Sequence, residues 1–175
     1  MSDKRLRLLT GASQLAASFA NGFEAIAEKP EFVEYFYHLD AEGREGVRRE
    51  LLGYVTYAVA VLVGTEGYIR DPEELQLFME EFISKTGCWD NALYERVDGY
   101  READAKRGET LGSQSSIRFA RLASAAITGE ESEDGETLLV LTTLTTLFLV
   151  NYVSPVLSEA FYTGEQDPEE QRSTH

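Results

Sequence analysis

Residues 137–158, TLLVLTTLTTLFLVNYVSPVLS, form a long uncharged run, and no other run in the chain is as long or as apolar. On a helical wheel, aliphatic side chains occupy one side, and four threonines mixed with further aliphatic residues occupy the other. A helix that is apolar over most of its circumference lies in a protein core or in lipid. The flanking charges are Glu136 and Glu159, so the Lys/Arg flank typical of a membrane span is missing, and Pro155 interrupts the helix. We therefore predict that protein encloses this helix.

A second apolar stretch, LLGYVTYAVAVLV at residues 51–63, is too short to cross a bilayer. We expect it to pack against 137–158. The other segments show helical periodicity and helix-start signals such as Asp40 and Asp71, and no alternating strand pattern is present. The sequence thus predicts an all-α, single-domain bundle of about six or seven helices over residues 1–163, around central helices 51–63 and 137–158. Residues 164–175 have little to bury and are predicted to be a disordered acidic tail.

The overall charge is strongly negative, with 31 acidic residues against 16 basic ones and a net charge of −15. Such a surface repels phosphate backbones, so we expect no nucleic-acid partner. An acidic, lysine-poor surface keeps a protein soluble and is also typical of a high-salt cytoplasm, which leaves a halophilic origin open. Polar residues interrupt the apolar part of the N-terminal segment, which is a poor export signal, so we expect a cytoplasmic protein.

Residues suited to catalysis or metal binding are scarce. Cys88 is the single cysteine, and His38 is the only histidine before the C-terminal residue. Glu34 precedes His38 by one turn, but a di-iron bundle needs Glu-x-x-His on two helices, and no base stands near Cys88 in the sequence. We interpret Cys88-Trp89-Asp90 as a packed corner between helices. We expect no enzyme activity, cofactor or metal.

A weak anion-site hypothesis concerns Ser113, Arg118 and Arg121. Ser113 begins a predicted helix whose free backbone N–H groups favour anions, and the two arginines follow on that helix. Capping explains Ser113 more simply. Just before this helix, Glu102 and Lys106 are spaced as an i, i+4 ion pair.

An aromatic cluster, Phe32, Tyr35, Phe36 and Tyr37, places rings on more than one side of a short helix. A single core contact does not bury all of them, and tyrosine is enriched at interfaces. We therefore predict an interface here. The leading hypothesis for function is a non-enzymatic interaction protein (an adaptor, a chaperone-like factor or a regulatory subunit) that binds a protein partner or a second copy of itself.

Two alternatives start from the uncharged run. A small-molecule binding or sensor domain would hold an apolar ligand in a pocket beside helix 137–158, with Thr142, Thr146, Asn151 and Tyr152 as the candidate lining. A membrane-associated protein would insert 137–158 into the bilayer, since its length is close to the ~20 residues a span needs.

Overall fold

The computed structural model describes residues 3–87 and 91–161, in which every regular element is a helix. The elements are α1 (Asp3–Ala27), α2 (Pro30–Tyr37), α3 (Ala41–Thr65), α4 (Pro72–Thr86), α5 (Asn91–Ala105), α6 (Ser113–Thr128), α7 (Gly135–Phe148), a π-helical segment (Leu149–Val153) and α8 (Ser154–Phe161). The last three form one continuous helix, so this part of the chain contains seven helices, and the predicted all-α bundle is confirmed. The predicted tail at 164–175 and the corner Cys88-Trp89-Asp90 lie outside the described residues.

Local signals in the sequence set the helix boundaries. The Asp40 carboxylate accepts a hydrogen bond of 2.8 Å from the Gly43 amide at the start of α3, and the Asp71 carboxylate accepts one of 3.0 Å from the Glu73 amide at the start of α4. Helix α6 ends at Gly129, whose φ of 85° is a left-handed conformation that glycine adopts without strain.

Helix α3 lies at the centre of the bundle. Residues 51–59 are buried on every side, and the helix packs against α4, α5 and α6. A helix that is covered all round must be apolar all round, which explains why LLGYVTYAV contains no charge. The prediction that 51–63 forms an inner helix is confirmed.

Helix α7 and its continuation are half-buried rather than enclosed. Leu141, Leu144 and Phe148 are fully buried, whereas Leu139 is 67% exposed and Val150 is 59% exposed. Helix α7 packs mainly on α6, and the π segment and α8 pack on α1.

Helix α6 lies beside both α3 and α7, and the two apolar helices also meet directly through the side chains of Tyr54 and Thr145. The predicted packing of 51–63 on 137–158 is therefore present, but α6 is the larger neighbour of each. The wheel identified the buried face but did not show that one threonine of the mixed face, Thr145, is buried while Thr143 and Thr146 are exposed.

The π-helical segment lies just before Pro155. Proline has no backbone N–H, so one regular helical hydrogen bond is missing here, and the wider turn accommodates its loss. In the widened turn the Ser154 amide bonds to the Leu149 carbonyl, and the Ser18 hydroxyl of α1 donates a 2.7 Å hydrogen bond to the Tyr152 carbonyl. The Tyr152 ring lies so close to Gly22 of α1 that a Cβ there would be 2.6 Å from the ring. The contact between the π segment and α1 therefore depends on glycine.

Candidate functional site

The predicted aromatic interface does not exist as one surface. Phe32 and Phe36 are 0% and 3% exposed, and the Phe36 ring packs edge-to-face on Phe23 of α1 at 5.8 Å. Tyr35 is half-buried, and Tyr37 is 77% exposed. The correction follows from helix geometry, since residues four apart share a face and both phenylalanines point into the core. Tyr37 remains exposed, with its ring edge-to-face on that of His38 at 5.1 Å.

The predicted pocket residues do not enclose a cavity. Thr146 and Asn151 are exposed, and Thr142 and Tyr152 are half-buried. The Asn151 side-chain amide donates to the Leu147 carbonyl one turn earlier at 2.8 Å, so its polar group is used within the helix. Side chains with this exposure form a surface, and the cavity of about 270 Å³ at the start of the run, beside Thr137, is lined by none of these four residues.

At Ser113, carboxylates of the chain itself accept from the backbone amides that the anion-site prediction assigned to a ligand. Gly112, not Ser113, is the N-cap residue of α6, and the Ser113 amide donates to the Glu109 carboxylate at 3.1 Å. Asp104, a buried residue in the last turn of α5, accepts hydrogen bonds of 2.8 Å from the amides of Gly112 and Ser115. A carboxylate of the chain itself therefore occupies the helix N-terminus that was expected to bind an anion.

Asp104 is the centre of a buried polar cluster that sequence reasoning did not identify. Its side chain is 0% exposed, and besides the two amides it accepts a 2.9 Å hydrogen bond from the Tyr57 hydroxyl of α3. The Tyr57 hydroxyl in turn accepts from the Leu111 amide at 3.2 Å. Leu111 has a φ of 55°, a left-handed conformation that costs a leucine about 1–2 kcal/mol. These bonds hold the strained loop between α5 and α6 against α3.

Opposing effects act on the pKa of Asp104. Burial alone raises the pKa of a carboxyl, but the amides of Gly112 and Ser115 and the hydroxyls of Ser115 and Tyr57 stabilise the charged form. The net result is a pKa below the ordinary value for aspartate. The charged carboxylate is thus the form that the fold selects.

A second polar group joins α5 to α3 about one turn away. The Tyr100 hydroxyl donates to the Glu50 carboxylate at 3.2 Å, and Arg96 Nε donates to the other oxygen of Glu50 at 2.8 Å. Burial, and then the charge of Glu50, raises the pKa of Tyr100 well above its usual value. Tyr100 and Asp104 are both 0% exposed, so these groups contact protein and not a substrate, and they act as clamps between helices.

The two arginines of the anion hypothesis, Arg118 and Arg121, line a groove on the protein surface. Lys106 and Arg107 at the end of α5 and Arg118 and Arg121 of α6 line a groove of about 410 Å³, which we call the basic groove. The remaining lining residues are Ala103, Gln114, Ile117, Leu122 and Glu131. Sequence reasoning found the two arginines of α6 but missed Lys106 and Arg107. Their convergence depends on how α5 packs beside α6, which no local pattern encodes.

The most unusual surface runs along α7 and into the π segment; we define it as Leu139, Thr143, Thr146 and Val150 and call it the outer face of α7. All four are exposed, and all lie in the uncharged run between Glu136 and Glu159. Within the described residues, the continuous helix Gly135–Phe161 is long and apolar enough to cross a membrane, with a mean hydropathy of 1.6 over its most apolar window and 28% of that window buried. The core helix of a soluble protein also passes this test, although such a helix is mostly buried.

Residues 3–87 and 91–161 bring together no group of three or more His, Cys, Asp and Glu side chains that would hold a metal ion. Comparisons of the chain with protein-family models, with curated proteins and with solved structures found no match.

Proposed function

We propose that this protein is a non-enzymatic helical interaction protein that self-associates, with the outer face of α7 of one copy packed against that of a second copy. The observation that carries the proposal is the exposure of Leu139 and Val150 on an uncharged helix face in a chain of net charge −15. Contiguous exposed apolar surface marks interaction sites in soluble proteins. A partner of the same net charge can approach such a chain closely only where both surfaces lack charge.

The spacing of the outer face supports helix pairing. Leu139, Thr143, Thr146 and Val150 follow one another at intervals of four, three and four residues, which is the spacing of a seam between two packed helices. Small threonines at the centre allow close approach, and the larger aliphatic side chains flank them. The face is therefore compatible with a two-fold, isologous contact.

Charge favours an antiparallel arrangement. The segment GEESEDGE, residues 129–136, is strongly acidic and leads directly into α7. A parallel pair would place the two acidic segments side by side, whereas an antiparallel pair places them at opposite ends, with Leu139 of one copy beside Val150 of the other. Antiparallel packing also opposes the two helix dipoles.

The self-association is tested by sedimentation equilibrium over a range of concentrations. We expect a concentration-dependent dimer for the natural chain. Leu139→Glu would bury an unpaired carboxylate from each copy, which costs several kcal/mol, so dimerisation should weaken by about a hundredfold or more. Leu6→Glu is the matched control, since Leu6 is 51% exposed on α1, and it should leave dimerisation unchanged. A chain that is monomeric at all concentrations, or equal effects of both variants, would contradict the proposal.

A membrane-associated protein is the second candidate, and the length, hydropathy and low burial of Gly135–Phe161 favour it. Insertion has a structural cost, because Leu141, Leu144 and Phe148 would have to leave the core. Flotation with neutral lipid vesicles separates the candidates. Comigration of the protein with vesicles, abolished by Leu139→Glu and not by Leu6→Glu, would support membrane binding in place of self-association.

A further inference from the structure

The basic groove concentrates positive charge on an otherwise acidic protein. Lys106, Arg107, Arg118 and Arg121 are all exposed in this groove. Most basic residues elsewhere in the bundle have an acidic partner, as Arg44 has in Glu24 at 2.6 Å. By contrast, in the described part of the chain none of the four groove cations forms an ion pair with a carboxylate, and the i, i+4 pair expected between Lys106 and Glu102 is not made.

We propose that the basic groove binds a small, soluble ligand that carries a phosphate group. Guanidinium groups match two phosphate oxygens at once, and the groove presents those of Arg118 and Arg121 beside the ammonium of Lys106. Ile117 and Leu122 supply an apolar wall for the body of a phosphate ester. A volume of about 410 Å³ lies within the range of small-molecule sites.

The charge of the whole protein restricts the ligand to a small one. Interactions between exposed charges are largely screened beyond about 8–10 Å at physiological salt, so a ligand confined to the groove responds mainly to the groove's own charges, which are four cations against the one carboxylate of Glu131. A nucleic acid or an anionic membrane would extend past the groove onto the acidic surface and would be repelled. The groove and the global charge together favour a free phosphate compound.

Arg118 is held in position by contact with α5. Its guanidinium lies over Gly99, where an added Cβ would be 2.8 Å from Nη2 and 3.0 Å from Nε. A methyl group at residue 99 would therefore displace the guanidinium, which is the mobile end of a flexible side chain. Gly99→Ala thus tests the position of Arg118 without changing any charge, and alanine is also the better helix former.

The test is isothermal titration calorimetry with pyrophosphate and with glycerol phosphate, at low and at physiological salt. We expect saturable binding to one site per chain. Arg118→Gln and Arg121→Gln should each weaken binding by about tenfold, because each removes a charge-assisted hydrogen bond. Gly99→Ala should weaken it by a smaller factor while leaving the midpoint of urea unfolding unchanged or raised.

Two controls keep the result interpretable. Arg70→Gln removes the same charge at an exposed position outside the groove, and it should change affinity less than twofold, or about 0.4 kcal/mol or less. Citrate tests whether a carboxylate of similar charge binds equally well. Absence of saturable binding, an equal loss with Arg70→Gln, or tighter binding of citrate than of the phosphate probes would each overturn the proposal.

Discussion

Replacement of Asp104 by asparagine tests whether a buried carboxylate joins α5, α6 and α3. The substitution preserves shape and keeps one oxygen, but it turns the other oxygen into an N–H₂ donor. In either orientation of the new amide, its N–H₂ group faces a backbone N–H, that of Ser115 if the oxygen keeps Gly112 and Tyr57, or that of Gly112 if the oxygen keeps Ser115. At least one hydrogen bond to a charged group is then lost in a site that is 0% exposed, and two donors face each other there.

The expected loss of stability is large. Losing one hydrogen bond to a charged group costs about 1.5–3 kcal/mol, and leaving a buried donor unsatisfied adds about 1–3 kcal/mol, so the variant should lose about 2.5–6 kcal/mol. A domain of this size has a free energy of unfolding of about 5–15 kcal/mol, so Asp104→Asn should be strongly destabilised or partly unfolded at neutral pH. Urea unfolding followed by far-ultraviolet circular dichroism measures the difference.

The matched control is Asp40→Asn, because the Asp40 carboxylate also accepts an amide hydrogen bond of 2.8 Å but is exposed to solvent. Asparagine caps helices as well as aspartate does, so this variant should unfold like the natural chain. Equal effects of the two substitutions would refute the argument, since buried and exposed carboxylates would then be equivalent.

The pH dependence gives an independent check on Asp104. Because its folded-state pKa lies below the ordinary value, the carboxylate contributes stability at neutral pH, and this contribution is lost as the pH falls from about 4 through the folded-state pKa. The stability difference between the natural chain and Asp104→Asn should therefore shrink at acidic pH. A difference that stays constant between neutral pH and pH values well below about 4 would show that the charge is not involved.

Two further predictions concern helix contacts. Gly22→Ala should destabilise the fold by about 1–3 kcal/mol, because the new methyl group would meet the Tyr152 ring where it joins the rest of the side chain. Gly64 has open space around it, so Gly64→Ala should be neutral or stabilising by up to about 1 kcal/mol. Urea unfolding measures both. Because the pKa of Tyr100 is raised in the folded state, its neutral form stabilises the fold. Its contribution to the free energy of unfolding should be fully present below about pH 10 and should fall as the pH rises toward the folded-state pKa. Phenolate absorbance during alkaline titration should show late tyrosines, since burial also raises the pKa values of Tyr54 and Tyr57, and Tyr100→Phe should remove one of them.

Much of the fold was predictable because its signals are local. The caps at Asp40 and Asp71, the turn at Gly129 and the uncharged stretch 51–63 each act through adjacent residues or through hydrophobic periodicity. These signals predict helices and their buried faces, and the all-α bundle follows from them. They do not determine which helix lies beside which: 51–63 meets 137–158 through Tyr54 and Thr145, but the larger neighbour of both is α6, which the sequence did not predict.

The sites were less predictable because each depends on contacts between distant residues. Phe36 looks like a surface residue in the sequence, but it packs against Phe23. Asp104 looks like one more acid on a charged amphipathic helix, and only the loop geometry shows that it takes the amide groups of α6. The one sequence signal for Asp104 is its position next to Ala103 and four residues after Tyr100, on the face of α5 that points into the bundle.

In the proposed dimer a second copy covers the outer face of α7, and an inter-chain distance tests this contact most directly. The measurement is double electron–electron resonance on Glu136→Cys in a Cys88→Ser background, with one spin label per chain. With an axial rise of 1.5 Å per residue and helix axes 8–10 Å apart, an antiparallel pair centred between Thr143 and Thr146 predicts a distance of about 25–30 Å. A decay without dipolar modulation at concentrations where dimer is expected would contradict the account, as would the continuous-wave line broadening of labels about 10 Å apart, the separation in a parallel pair.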